Sequence, residues 1–221
     1  MMNSQNTAAE SRIRRLVSDN GALPEGTGPG GSKAPILNAA LRLFALHGFS
    51  GASVRDIADA SGLKPASLYA HFRGKEEILA TLIEIGHEYH YQCLHDAVLN
   101  SDNSPTSQLK ALVAAHVGFH AGYPMLAILV NHELHALERS YIVGALTLRE
   151  KSVELMLSIL KRGEASGEFS IEHDPWLAAA AIGAMGMRVA NWYSEHHDKS
   201  VDEVVETYQD FVMRMVGVKQ H

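Results

Sequence analysis

Residues 52–75 read ASVRDIADASGLKPASLYAHFRGK. Ser53 has the side chain of a helix N-cap, and Asp56 three residues on completes a capping box, so a helix is expected to start here. Val54, Ile57 and Ala58 then repeat at helical spacing. Gly62 follows Ser61 where that helix should stop, because glycine enters the left-handed region without a Cβ clash. Leu63 is an apolar residue in the turn, placed to plug the angle between two helices. Pro65 suits the first position of a second helix, where its missing N–H costs nothing. Leu68, Tyr69 and Phe72 continue an apolar stripe. Two short helices joined by a glycine-containing turn make a helix-turn-helix.

On the N-terminal side, Ala34 to His47 places Ile36, Leu37, Ala40, Leu43 and Phe44 on one helical face, with Gly48 as its stop. Residues 1–33 are polar, carry Gly26, Gly28, Gly30 and Gly31 around Pro24 and Pro29, and read as a flexible arm. Within it Ser11–Val17 suits a short helix. Its Arg12, Arg14 and Arg15 would either follow a DNA minor groove or stand in solvent. On the C-terminal side a long helix is expected from Lys75 to about Leu99, with Glu76 and Glu77 at the positive end of its dipole. Further helices are expected from Pro105 to Ala121, from Pro124 to about Leu137, and from Ser140 to Arg162, where Gly163 and Gly167 stop the chain. Two more run from Pro175 to about Ser194 and, after a Ser200–Glu203 capping box, to near Val216. No alternating strand pattern of useful length occurs. The expected fold is all-α: a three-helix helix-turn-helix domain at 34–80, then a helical bundle at 81–221 for ligand binding and dimerisation.

Composition narrows the function classes. Of 221 residues, 46% are hydrophobic and 20% charged, which suits a globular chain with a sizeable core. The single cysteine, Cys93, excludes an intramolecular disulfide and fits a reducing cytosol. No apolar run is long enough to span a bilayer and no apolar leader opens the chain, so the expectation is a cytoplasmic protein without a membrane partner. Net charge is −6, but it is unevenly spread. Residues 34–83 carry five basic and four acidic side chains, a sum of +1; residues 84–221 carry ten basic and eighteen acidic, a sum of −8. The helix-turn-helix is therefore only mildly cationic. Any grip on DNA must come from placed contacts, helix ends and a second copy rather than from field strength.

Residues 39–78, AALRLFALHGFSGASVRDIADASGLKPASLYAHFRGKEEI, resemble the TetR family of bacterial regulators. The resemblance lies in Leu-Phe…His-Gly-Phe, Val-Arg-Asp-Ile-Ala, Ser-Gly-Leu and Leu-Tyr-x-His-Phe-x-x-Lys. More loosely, NHELHAL (Asn131–Leu137) and DPWLAAAAIGAMGMRVANWY (Asp174–Tyr193) resemble a branch that regulates lipid or steroid catabolism and senses acyl-CoA-type ligands. The resemblance implies a homodimeric repressor of a palindromic double-stranded operator, released by a small effector. Carried over by motif, Ser53 and Arg55 would approach phosphates. Lys64, Pro65, Ala66 and Ser67 would meet base edges, and Tyr69, His71 and Lys75 would grip the backbone. The residue chemistry agrees: the start of a recognition helix meets bases, lysine pairs with guanine, and an alanine methyl touches a thymine methyl. Each residue also has a plainer reading. Tyr69 suits a core, Pro65 a helix start, His71 an inert surface, and Arg55 an ion pair with Asp59.

Thirteen histidines invite a second hypothesis. His116 and His120 are four apart, His132 and His135 three apart, and so are His87 and His90. Such pairs place two imidazoles on one helical face, as a borderline metal requires. An all-α enzyme or metal-binding protein using the His116/His120 and His132/His135 pairs is thus the alternative. Against an enzyme, HELH is not HExxH, and no nucleophile–base pair stands at a recognisable spacing. No catalytic residue, resident metal or cofactor is therefore assigned. The apolar middle helices suit an effector pocket, with His116, Phe119, His120, Met125, Leu129, His132, Met156 and Trp192 as candidate lining. The small-residue run from Ala178 to Gly186, with Val204, Val205, Tyr208, Phe211, Val212 and Met215, would form a dimer interface through the last two helices or pack within the chain.

Overall fold

The computed structural model describes residues 22–194 and 197–218. The arginine-bearing stretch 11–17 lies outside the described residues. Among the described residues the chain is wholly helical: α1 Lys33–Gly51, α2 Val54–Ala60, α3 Pro65–Tyr69, α4 Lys75–Leu99, α5 Pro105–Gly122 and α6 Pro124–His132. A 3₁₀ turn at Leu134–Ala136 leads to α7 Arg139–Ser166, α8 Pro175–Trp192 and α9 Val201–Met215.

The contacts divide the chain into two compact units. The first takes in the described residues up to Tyr89, Tyr123–Ala145 and Ala190–Ser194; the second takes in His90–Gly122, Leu146–Val189 and the described residues after Ser194. In the first unit α1 packs on α2 and on α6, and α2 packs on α3. Its core is built from Ile36, Leu37, Leu41 and Phe44 of α1, Ile57 of α2, Leu68 of α3, Ile78, Leu79, Leu82 and Ile83 of α4, and Met125, Leu126 and Leu129 of α6. Burying each such side chain contributes about 1.5–3 kcal/mol relative to exposure. In the second unit α9 packs on α5, around Leu109, Leu112, Val117, Ile159, Leu160, Val204 and Val212.

Four boundaries differ from the expectation, each for a physical reason. The last part of the 1–33 stretch is held rather than loose: Leu23 N donates to Asn38 Oδ1 at 3.2 Å, and Pro24 is buried. Gly48 does break helical geometry, at φ 72°, but helical turns resume and carry α1 to Gly51. The segment from Pro124 ends as an α-helix at His132, and a 3₁₀ turn completes it. Gly163 does not stop α7, because a glycine without a turn to make is only a weak break; the positive φ comes at Gly167, 77°.

Helix starts combine local and distant caps. Ser200 and Glu203 form the expected box, and Asp174 Oδ1 accepts from Trp176 N at 2.8 Å at the start of α8. At the start of α5, Ser104 Oγ accepts from Ser107 N at 3.1 Å. Glu168 adds a cap from beyond α7, its Oε2 accepting from Thr106 N at 3.0 Å and Thr106 Oγ1 at 2.8 Å.

Candidate nucleic-acid interface and effector region

The helix-turn-helix is assembled by short-range bonds. Ser53 Oγ accepts from Asp56 N at 3.1 Å, and Asp56 Oδ2 accepts from Ser53 N at 2.9 Å and from Ser53 Oγ at 2.7 Å. These bonds from Ser53 hold the Asp56 carboxyl below the usual carboxylate value. At the other end of α2, Gly62 has φ 72°. There Gly62 N donates to Asp59 O at 3.2 Å and Leu63 N to Ala58 O at 2.9 Å, so the last carbonyls are satisfied as the chain reverses. Lys64 is extended, as a residue before proline must be, and Pro65 opens α3.

One side of α3 is anchored and the other is bare. Leu68 is fully buried, while Lys64, Pro65, Ala66, Ser67 and Tyr69 are exposed, Tyr69 at 57%. Ser53 and Arg55 are exposed and His71 is half-buried. An aromatic ring with more than half its surface in water is not a core side chain, so the core reading of Tyr69 falls away. Lys75 lies differently from the rest. Its Nζ donates to Phe49 O at 3.0 Å and to Ala52 O at 3.2 Å, and it sits 4.3 Å from the centre of the Phe49 ring. Two of its three N–H donors tie the end of α1 to the start of α4.

The candidate effector residues fall in both units. In the first unit Met125 and Leu129 are buried on α6, while His132 and His135 are exposed at and after its end. Trp192 is half-buried and meets the Tyr193 ring edge-on at 5.9 Å. In the second unit Met156 is buried on α7, and His116, Phe119 and His120 are buried on α5. There the structure adds a residue that the sequence did not assign to the site. His90 of α4 lies with its Nε2 2.9 Å from His116 Nδ1, and the His90, Phe119 and His120 rings stand 5.0–5.6 Å apart centre to centre. Burial pushes His116 below its ordinary value, with the Gly183 hydrogen bond opposing. Burial and then the nearby His116 push His120 down to about 3. The His87/His90 spacing was the one visible hint of this grouping. Nothing in the linear sequence tied His90 to His116, 26 positions away.

These elements can be set beside known proteins. A family profile described as "Bacterial regulatory proteins, tetR family" matches residues 36–82, and one described as "Tetracyclin repressor-like, C-terminal domain" matches residues 102–216. The chain belongs to the tetR family. It is a DNA-binding transcription regulator and not an enzyme. Among curated relatives, the HTH-type transcriptional repressor KstR2 of Rhodococcus jostii is 25% identical over 187 residues, spanning 85% of this chain and 92% of that protein. A tetR-family regulatory protein from Rhodococcus RHA1 superposes with a TM-score of 0.81 at 26% identity, over 87% of this chain and 100% of that one. AibR, solved in complex with isovaleryl coenzyme A and operator DNA, superposes with a TM-score of 0.75 at 20% identity, over 86% of this chain and 100% of that one; this likeness speaks to the fold. Among the described residues no single helix is long and apolar enough to cross a membrane.

Proposed function

We propose that this regulator is a homodimeric repressor, with a DNA-reading part at 34–80 and an effector and dimerisation part at 81–221. The carrying observation is the bare face of α3. Lys64, Pro65, Ala66, Ser67 and Tyr69 are offered to solvent on a helix whose opposite side is pinned by Leu68. The first turn of α3 meets base edges in the major groove. Tyr69 and His71 reach phosphates, as does Arg55 beside the α2 start at Ser53. Lys75 acts chiefly as a strut, because its ammonium is held by the Phe49 and Ala52 carbonyls.

The dimer is formed through α8 and α9. Trp176 and Leu177 on α8, and Phe211 and Met215 on α9, are exposed large apolar side chains. Ala180, Ala181 and Ala184 extend the bare strip along α8. Small residues flanked by large apolar ones suit close helix packing between copies, and a two-fold pair matches a palindromic operator. The effector is a small apolar or acyl-CoA-type molecule that binds the DNA-incompetent state better and so releases the operator. Two things support this: the name of the KstR2 relatives as repressors, and the isovaleryl coenzyme A held by AibR. Cytoplasmic residence goes with that role.

Selection of bound sites from random duplex DNA, followed by fluorescence-anisotropy titration, tests the reading. One palindromic sequence should be enriched. Tyr69→Ala and Lys64→Ala should each weaken it by about 1–3 kcal/mol, and Lys64→Ala should also relax the sequence preference at the base pair it meets. Failure to enrich any sequence, or full operator affinity in both variants, would sink the assignment. An acyl-CoA series added to the preformed complex then checks the effector: none releasing DNA removes that class.

A further inference from the structure

We propose that His90, His116 and His120 form a three-histidine site for a divalent transition-metal ion of borderline softness, zinc(II) being the best match. One ligand atom from each ring lies within 4.8 Å of the other two. A zinc ion with Zn–N bonds of about 2.0–2.1 Å needs its nitrogens about 3.3 Å apart on a tetrahedral face. The His90–His116 nitrogens, 2.9 Å apart, would have to open slightly, and the separations to His120, none above 4.8 Å, would have to close to that spacing.

The rings are also oriented as metal ligands are. A metal-binding histidine ordinarily donates its second ring N–H to a carbonyl or carboxylate, which settles the tautomer and turns the lone pair on the metal. His116 Nε2 lies 3.0 Å from Gly183 O. A carbonyl only accepts, so Nε2 carries the proton and the lone pair sits on Nδ1, the atom facing His90. His120 Nδ1 lies 2.8 Å from His116 O, so by the same argument its lone pair sits on Nε2. Neutral imidazole is the form that ligates. Without a metal, His90 Nε2–H donates to His116 Nδ1; when a metal binds, His90 shifts to its Nδ1–H tautomer, which keeps the ring neutral and leaves the Nε2 lone pair for the ion.

The surroundings are shaped for the group. Gly186 of α8 lies so close that a Cβ there would stand 2.1 Å from His116 Cδ2; only glycine lets that ring in. Phe119 closes the apolar side, 5.0 Å from His90 and 5.1 Å from His120. Three imidazoles leave the fourth tetrahedral position to a water or to an oxygen of a bound small molecule. The site stands independently of whether the effector is an acyl-CoA.

The test uses the full chain, stripped with a chelator and titrated with cobalt(II). One equivalent should bind, with the strong visible bands of tetrahedral cobalt, and zinc(II) should displace it. Zinc should also raise the melting temperature of the wild type. His90→Gln carries the test because its ring is half-exposed: affinity should fall at least about 10-fold with the helical circular dichroism unchanged. His116→Gln is read beside its own melting curve. The double variant His132→Gln/His135→Gln should bind as the wild type does. No saturable cobalt binding, or binding unchanged in His90→Gln, overturns the site, as does binding lost only in the His132/His135 variant.

Discussion

The helix-turn-helix and the histidine group are built by opposite means. In the first, the bonds that shape the site join residues three to five apart: Ser53 with Asp56, Asp59 with Gly62, Ala58 with Leu63. Its working side chains point to water. In the second, the deciding contacts join His90 to His116 and His116 to Gly183, 26 and 67 positions apart, and the α5 rings are buried. A surface reader needs only a rigid local frame, because its partner arrives from outside. A buried polar group needs several elements around it at once, since each nitrogen withdrawn from water requires a partner.

The contrast can be broken most sharply at Leu68, the one buried side chain of α3. Leu68→Ala should cost about 2–5 kcal/mol in chemical denaturation, and operator binding should go with it. A variant that melts as the wild type does would mean the reader does not depend on this anchor. Gly186→Ala is the matching change in the second unit. It should cost about 1–3 kcal/mol through overpacking and shift the His116 ring resonances, while a neutral melt would show that His116 yields freely.

Ser53→Ala should cost about 1 kcal/mol as a lost cap, and Ser200→Ala, which removes the same box on α9, about as much. Unequal losses in thermal melts would show that one box is reinforced by its tertiary setting. The smallest expected effect is at Glu168. Burial raises its pKa, but the bonds from Thr106 and Ser166 outweigh this and leave it below the ordinary 4.5. A carboxylate depressed on folding stabilises above its unfolded value and loses that contribution as pH falls through the folded one. The stability gap between wild type and Glu168→Gln should therefore be full at neutral pH and fade below 4.5. A gap that grows on acidification would reverse the assignment.

Lys75 shows what residue chemistry alone leaves out. A lysine at a helix start beside a DNA-reading turn suits a phosphate, yet its Nζ is turned to two carbonyls of the α1 end. The position of Phe49 relative to Lys75 depends on how α1 packs, which no local pattern encodes. His132 is the converse case. Its spacing from His135 resembled a ligand pair, but both are exposed, while the partner of His116 and His120 came from another helix.

The sequence by itself determined the helical class, the order of the elements, both capping boxes, and the two short helices and glycine turn of Ala52–Lys75. All of these follow from backbone preferences and side-chain bonds within about one helical turn. Only the tertiary structure decided three further matters: the Lys75 bonds to the α1 end, Glu168 as the distant cap of α5, and His90 as the third member of the histidine group, with Gly186 making room for His116. Those depend on which helix faces meet, and that is settled by close packing of the whole core, not by the spacing of residues along one helix.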